Sequence, residues 1–201
     1  MSDPRLQSPA TARNRQPILE VLRAVLPESA CVLEVASGSG EHAVHCAATM
    51  AGWEWRPSDP NPHALASIAA WRQEAALPNL AEPIRLDAIV QDSWPAGPFE
   101  AVVAINLIHI SPWEVAEALI ARAGERLAAN GVLFLYGPYR RGGQHTAPSN
   151  AAFDADLRRR DPSWGVRDLD DVIAEAERHN LSLERIVEMP SNNLSVIFTR
   201  C

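Results

Sequence analysis

The chain has 201 residues, of which 47% are hydrophobic and 21% charged, the composition of a globular protein with one core. The 18 Lys+Arg and 25 Asp+Glu give a net charge of −7, so the overall field does not favour nucleic acid as a partner. No apolar run is long enough to cross a bilayer and no secretory signal is visible. We therefore expect a cytoplasmic protein with a single domain, residues 1–201, and no membrane partner.

The first two thirds of the chain alternate between strand and helix patterns, which is typical of a parallel sheet covered by helices. Residues 1–16 are polar and predict a flexible segment or a lid, and Pro17 suits the first turn of a helix. The predicted strands are 31–36, 53–59, 83–87, 99–106 and 132–137, and the predicted helices are 17–26, 41–50, 63–76 and 112–127.

The last third follows a different pattern. Residues 137–168 are too long and too polar for a simple connection and predict a substrate-side insert. A helix over 169–180 precedes two strands, which are separated only by residues 190–193, so the two strands must be antiparallel. The predicted fold is a three-layer, Rossmann-like α/β sandwich with a seven-stranded, mostly parallel sheet and an antiparallel final pair.

A glycine-rich turn over residues 38–43 follows the first strand and matches the loose form of a dinucleotide fingerprint. Glu34 lies near the carboxyl end of that strand, where a carboxylate would repel a pyrophosphate and attract a ligand with an amino group and a positive sulfur. Asp59 and Asp87 end the next two strands, where they could accept hydrogen bonds from ribose hydroxyls and an adenine amino group. These acids predict S-adenosyl-L-methionine as the cofactor.

Residues 32–40 resemble the first motif of class I S-adenosylmethionine-dependent methyltransferases, an acidic residue followed by alternating glycines. The resemblance implies that Gly38 and Gly40 form the close turn around the cofactor, with Ala36 in place of the first glycine. Six further stretches resemble the methyltransferase-like 26 group and its bacterial relatives: residues 12–19, 58–61, 106–113, 135–139, 161–165 and 189–193. This closer resemblance implies the fold and the cofactor but no acceptor.

Residues that follow the fourth and fifth strands are candidates for catalysis, because they would face the methyl group. Asn106 is expected to contact the cofactor and, with His109 and Tyr139, the reacting atoms. His109 has a side chain suited to a general base at neutral pH. The alternative is a structural histidine bonded to a loop carbonyl.

Predicted substrate contacts come from the amino terminus, provided that it folds back, and from the polar insert. The insert is a recognition element or lid on one interpretation and a solvated excursion packed down by its tryptophan on the other. The predicted substrate-binding residues are Arg13, Asn14, Tyr136, Arg140, His145 and Trp164. His42 and His45 share a helix face but have no third ligand at suitable spacing, so no metal site is predicted.

These patterns predict a methyltransferase that acts on a small molecule. A non-catalytic module that binds the same cofactor and an NAD(P)-dependent reductase remain as alternatives. A methyltransferase for proteins or nucleic acids is less favoured by the acidic balance and the short chain. The sequence leaves a homodimer open.

Overall fold

The computed structural model describes residues 3–201, so Met1 and Ser2 of the predicted flexible segment lie outside the described residues. The helices are α1 Pro9–Val25, α2 Glu41–Thr49, α3 Pro62–Ala75, α4 Trp113–Arg126, α5 Pro148–Arg160 and α6 Leu169–Arg178. The strands are β1 Ala30–Val35, β2 Trp53–Asp59, β3 Ile84–Arg85, β4 Phe99–Ile105, β5 Leu127–Gly137, β6 Arg140–Arg141, β7 Gln144–His145, β8 Leu181–Met189 and β9 Asn193–Arg200. Within residues 3–201, no helix has both the length and the apolar character that a membrane span requires.

Seven strands form one sheet in the order β3-β2-β1-β4-β5-β9-β8. Strands β1 to β5 pair in parallel, and β9 pairs antiparallel with both β5 and β8. This arrangement confirms the predicted fold class, including the antiparallel final pair. The strand order reverses between β1 and β4, and in open α/β sheets ligands bind at such a reversal, beyond the carboxyl ends of the strands.

The central strands are apolar along their length because both faces of the sheet are covered. Alternate residues of β1 and β4, such as Leu33 and Val102, pack beneath α4 and α6. Their neighbours Val32 and Val103 face the other way and pack beneath α1 and α2. The core is thus divided by the sheet into two apolar layers, which gives the three-layer sandwich.

The first helix starts earlier than the sequence predicts, at Pro9 rather than at Pro17. Ser8 is the N-cap and its hydroxyl accepts a hydrogen bond from the N–H of Thr11, while Pro9 occupies the first helical turn. Residues 9–16 are therefore helical, which corrects the prediction that this part of the segment is flexible.

The segment over residues 137–168 has secondary structure of its own. Strands β6 and β7 form a short hairpin, with Arg140 opposite His145, and α5 follows immediately. Helix α5 ends in Arg158, Arg159 and Arg160, where positive charge stabilises the carboxyl end of a helix. The segment is an ordered insert on the carboxyl side of the sheet.

Candidate functional site

The turn after β1 takes a left-handed backbone conformation at three alternating positions: Ala36, Gly38 and Gly40 have φ values of 58°, 57° and 90°. A Cβ atom on Gly40 would lie 3.0 Å from the Cα of Ile68, so glycine lets α3 pack against the turn. A Cβ atom on Gly38 would meet no atom within 4 Å. The space above Gly38 leaves its backbone open to a ligand.

Asp59, at the end of β2, is 6% exposed and bonded to the glycine turn. Its Oδ2 accepts from the N–H of Gly38 at 3.0 Å, and its Oδ1 accepts from the N–H of Asn61 at 2.9 Å. Burial raises the pKa of this carboxyl, and the two backbone hydrogen bonds oppose the shift. Each carboxylate oxygen keeps a second lone pair, which fits the predicted acceptance of ribose hydroxyls. Asp87 lies two residues beyond β3 and is partly exposed.

Glu34 is placed differently from the prediction. Its side chain is 1% exposed, and its Oε2 accepts from the indole N–H of Trp55 at 3.0 Å. Burial raises the pKa of the carboxyl to about 7, although the hydrogen bond from Trp55 opposes the shift. Side chains alternate along a strand, and Glu34 shares the face of Val32, which packs under α1 and α2. The carboxyl therefore points into the protein in this structure, away from the position that the predicted contact with a ligand requires.

A cavity of about 520 Å³ lies at the carboxyl ends of β4 and β5. Asn106 follows β4 and Tyr136 belongs to β5, and the backbone N–H of Asn106 donates to the carbonyl oxygen of Tyr136 at 2.7 Å. Arg13 and Asn14 of α1 line the same cavity. The structure thus brings together four predicted site residues that are far apart in the sequence.

A chain of polar contacts orders one wall of this cavity. His42 lies 2.9 Å, Nε2 to Oδ1, from Asn14, and burial lowers the pKa of its imidazole to about 4, so the ring is neutral. With the proton on Nε2, His42 donates to Asn14 and leaves the amide N–H groups of Asn14 for other partners. Burial raises the pKa of Tyr136, while hydrogen bonds to Asn14 and Asn193 and the charge of Arg13 oppose the shift.

The far wall comes from residues that the sequence analysis did not select. Asn150 and Phe153 of α5 line the cavity with residues 190–193, which form the link between β8 and β9 and the first residue of β9. The amide of Asn150 donates to the carbonyl oxygen of Asn192 at 2.9 Å and to Thr146 Oγ1 at 3.1 Å. Two sequence signals pointed to this wall without naming its residues: the predicted substrate-side insert over 137–168 and the resemblance over residues 189–193.

His109 and Tyr139 do not reach the cavity, and both side chains are completely buried. The Nδ1 of His109 accepts from the backbone N–H of Arg167 at 3.2 Å, and burial lowers the pKa of the ring to about 3. The ring of Tyr139 packs edge-on at 4.9 Å, and burial raises the pKa of its phenol. The structure does not bring these two side chains to the cavity with the other predicted residues. His109 instead occupies a structural position, with a backbone N–H as its partner in place of the carbonyl of the alternative prediction.

The other three predicted substrate residues also lie outside the main cavity. Arg140 lines a second cavity of about 300 Å³ between the start of α4 and α6. His145 Nε2 lies 3.6 Å from Asp154 Oδ2, and Trp164 packs under the guanidinium of Arg160 at 5.1 Å from the ring centre. The contacts of His145 and Trp164 lie within the insert, so the structure does not bring these three predicted substrate residues together with Arg13, Asn14 and Tyr136.

The two histidines of α2 bind the neighbouring helix. His42 contacts Asn14, and His45 Nε2 lies 3.1 Å from Gln16 Oε1. Within residues 3–201, no group of three or more His, Cys, Asp or Glu side chains is arranged to hold a metal ion. These histidines therefore connect α2 to α1.

A comparison with models of known protein families finds a match that covers almost the whole chain. Residues 5–200 match the model of a family described as protein of unknown function, DUF938. The chain belongs to this DUF938 family. The closer resemblance to the methyltransferase-like 26 group is not confirmed by the comparisons.

Solved structures share the fold of this DUF938 protein at low identity. An O-methyltransferase family protein from Burkholderia thailandensis is 15% identical, with a TM-score of 0.81 over 95% of this chain and 57% of its own. An O-methyltransferase family 2 protein from Planctomyces limnophilus, in complex with apigenin, is 17% identical, with a TM-score of 0.74 over 93% and 62%. CalO1, a methyltransferase in calicheamicin biosynthesis with bound S-adenosylhomocysteine, is 15% identical, with a TM-score of 0.71 over 94% and 54%. This chain thus spans little more than half of each, and the likeness shows a class I methyltransferase fold.

Proposed function

We propose that this DUF938 protein is an S-adenosylmethionine-dependent methyltransferase that acts on a small molecule in the 520 Å³ cavity. The observation that carries the proposal is the position of this cavity. It opens at the carboxyl end of β4, and β4 lies beside β1, whose end carries the glycine turn. Asn106 follows β4 and lines the cavity, and the strand order reverses between β4 and β1, which supports a ligand site there.

The residues around the turn fit the cofactor. When bound, S-adenosylmethionine supplies a methyl group on a positively charged sulfur. The open space above Gly38 accommodates close approach to the backbone, and Asp59 has lone pairs left for the ribose hydroxyls. Asp87 remains the proposed contact for the adenine amino group.

Glu41 supplies a reason to prefer this cofactor to a dinucleotide. A dinucleotide places its pyrophosphate at the amino terminus of the helix after the glycine turn. In this protein Glu41 occupies the first turn of α2, and its Oε2 accepts from the N–H of Ser8 at 2.7 Å and the hydroxyl of Ser39 at 2.9 Å. A carboxylate held there repels a pyrophosphate, whereas the buried Glu34 does not face that position.

The cavity also suits methyl transfer, which needs an in-line approach, an unprotonated nucleophile and exclusion of water. The backbone of Asn106 is fixed by its bond to Tyr136, and the residue lines the cavity wall. Ile110 and Phe153 give the cavity apolar surface that excludes water. The names of the similar structures, among them a complex with apigenin, support a small-molecule acceptor.

Transfer of a labelled methyl group tests this proposal. Purified protein is incubated with S-adenosylmethionine labelled in the methyl group and a small-molecule extract. We expect a labelled product, and we expect Asn106→Ala to reduce its formation at least tenfold. Gln144→Ala, a change at an exposed amide outside the cavity, is the matched control. Cofactor binding without any labelled product would favour the non-catalytic module.

A further inference from the structure

The charge of the main cavity restricts the acceptor that it can hold. Among its described lining residues Arg13 is the only charged side chain. Five asparagines, two serines and Tyr136 supply the other polar groups, and the remaining lining residues are apolar. The described lining therefore contains no carboxylate that could pair with a cationic ligand.

Arg13 is available to a ligand. Its side chain is exposed at the cavity, and within residues 3–201 no carboxylate forms an ion pair with it. A guanidinium beside amide N–H groups is a favourable arrangement for an anion, because a charged hydrogen bond is about twice as strong as a neutral one. The cavity is thus built to prefer an anion over a neutral or cationic ligand of the same shape.

The described lining also lacks a general base. Tyr136 is protonated at neutral pH, because burial raises the pKa of its phenol. The imidazole of His42 lies outside the lining and is hydrogen-bonded to Asn14. His109 is buried against Tyr139. No described side chain in the cavity could remove a proton from an alcohol or an ammonium group during transfer.

We infer that the acceptor is a small organic carboxylate, paired with Arg13, whose attacking atom is already unprotonated at neutral pH, as a thiolate sulfur is. This inference rests on the proposed function. The lone pair of the thiolate forms a bond to the methyl carbon while the bond from that carbon to the sulfonium sulfur breaks, and the released electron pair stays on that sulfur. No proton moves, and one negative and one positive charge are cancelled.

Ligand binding to the protein loaded with S-adenosylhomocysteine tests the charge preference. Benzoate, benzamide and benzylamine have similar shapes and differ in charge. By calorimetry we expect benzoate to bind at least tenfold more tightly than benzamide, and benzylamine not to bind. Arg13→Gln should remove the preference, whereas Arg15→Gln, at an exposed position outside the cavity lining, should keep it. Absence of benzoate binding, equal binding of benzamide, or a preference that survives in Arg13→Gln would overturn the inference.

Turnover tests the nature of the attacking atom. 3-Mercaptobenzoate and 3-(hydroxymethyl)benzoate carry the same carboxylate but present a thiol or an alcohol. We expect methylation of the thiol and at least a hundredfold slower methylation of the alcohol at neutral pH. Equal rates, or no transfer to the thiol, would contradict the inference. A protein that does not bind S-adenosylhomocysteine would instead remove the proposed function, so the two failures are distinguishable.

Discussion

Glu34 is a fully buried carboxyl whose ionisation should make the stability of the protein depend on pH. Its folded pKa of about 7 lies above the ordinary value of 4.5, so the native state binds a proton more readily than the unfolded chain does. Below about pH 4.5 the carboxyl is protonated in the native and the unfolded state alike, and its contribution to stability is fully present. Between about pH 4.5 and 7 the unfolded chain ionises while the native state keeps its proton, so the free energy of unfolding falls over that range.

Glu34→Gln removes this titration while keeping an oxygen for the indole N–H of Trp55. At about pH 8 we expect the variant to be more stable than the wild type by up to about 3 kcal/mol, whereas near pH 5 the two should be close. Urea unfolding at the two pH values measures the difference. A variant whose stability relative to wild type is the same at both would show that Glu34 does not titrate in this way.

The two glycines of the turn differ in their surroundings, so their substitutions should differ in cost. Gly38→Ala adds a Cβ in open space and should cost about 1 kcal/mol from the left-handed backbone alone. Gly40→Ala adds the same strain together with a Cβ 3.0 Å from the backbone of Ile68, so its cost should be larger, about 2 to 3 kcal/mol. Denaturant midpoints would rank the two, and an equal cost would contradict the tight packing seen at Gly40.

Asp59 provides the test of the ribose contact. Asp59→Ala should weaken S-adenosylhomocysteine binding by about 2 kcal/mol, because bonds to a charged acceptor are lost. Asp59→Asn keeps an oxygen that accepts from Gly38 and should lose less. Asp92→Ala, a change at an exposed acid, serves as the control in the calorimetry. If Asp59→Ala bound with wild-type affinity, Asp59 would have no role beyond its bond to the turn.

At the scale of elements, residues 3–8 cross the glycine turn before α1 begins. Backbone N–H groups of this segment donate to Glu41 Oε2 at 2.7 Å and to Ser67 Oγ at 2.8 Å. The hydroxyl of Ser67 in turn donates to the carbonyl oxygen of Ser39 in the turn, at 2.7 Å. Within the predicted lid, residues 9–16 belong to α1. Residues 3–8 form a short segment that a few hydrogen bonds hold beside the glycine turn.

Loosening this segment should speed cofactor entry. Ser67→Ala removes the acceptor for the segment and the donor to Ser39, each worth about 1 kcal/mol. We expect S-adenosylhomocysteine to associate about fivefold faster, measured by stopped-flow tryptophan fluorescence. Thr49→Ala is the control, since the Thr49 hydroxyl bonds only within its own helix. An unchanged association rate would mean that the segment does not gate the turn.

Strands and helices with a strong apolar pattern could be predicted from the sequence, whereas helices or helix ends made of polar residues could not. The run over 99–106 marks β4 because both faces of that strand are buried. Helix α1 begins among polar residues, so its start depends on the Ser8 cap and on Pro9 rather than on periodicity. Helix α5 buries few apolar side chains, among them Leu157, too few to show a helical stripe.

At the scale of the whole molecule, the sequence could indicate which residues stand at strand ends, and it could not indicate where their side chains point. Asp59 and Asn106 lie as predicted because strand ends follow from the order of the elements. Glu34 and His109 point into the protein, which depends on the packing of neighbouring layers. The far wall of the cavity joins α5 to the link over 190–193, and only the folded chain brings these segments to α1.

Calorimetric titration with S-adenosylmethionine, with and without NADH present, and titration with NADH alone would show which cofactor the glycine turn selects. We expect saturable binding of one S-adenosylmethionine per chain and no competition by NADH, because Glu41 repels a pyrophosphate at the start of α2. Tight binding of NADH, or no binding of S-adenosylmethionine, would contradict this expectation.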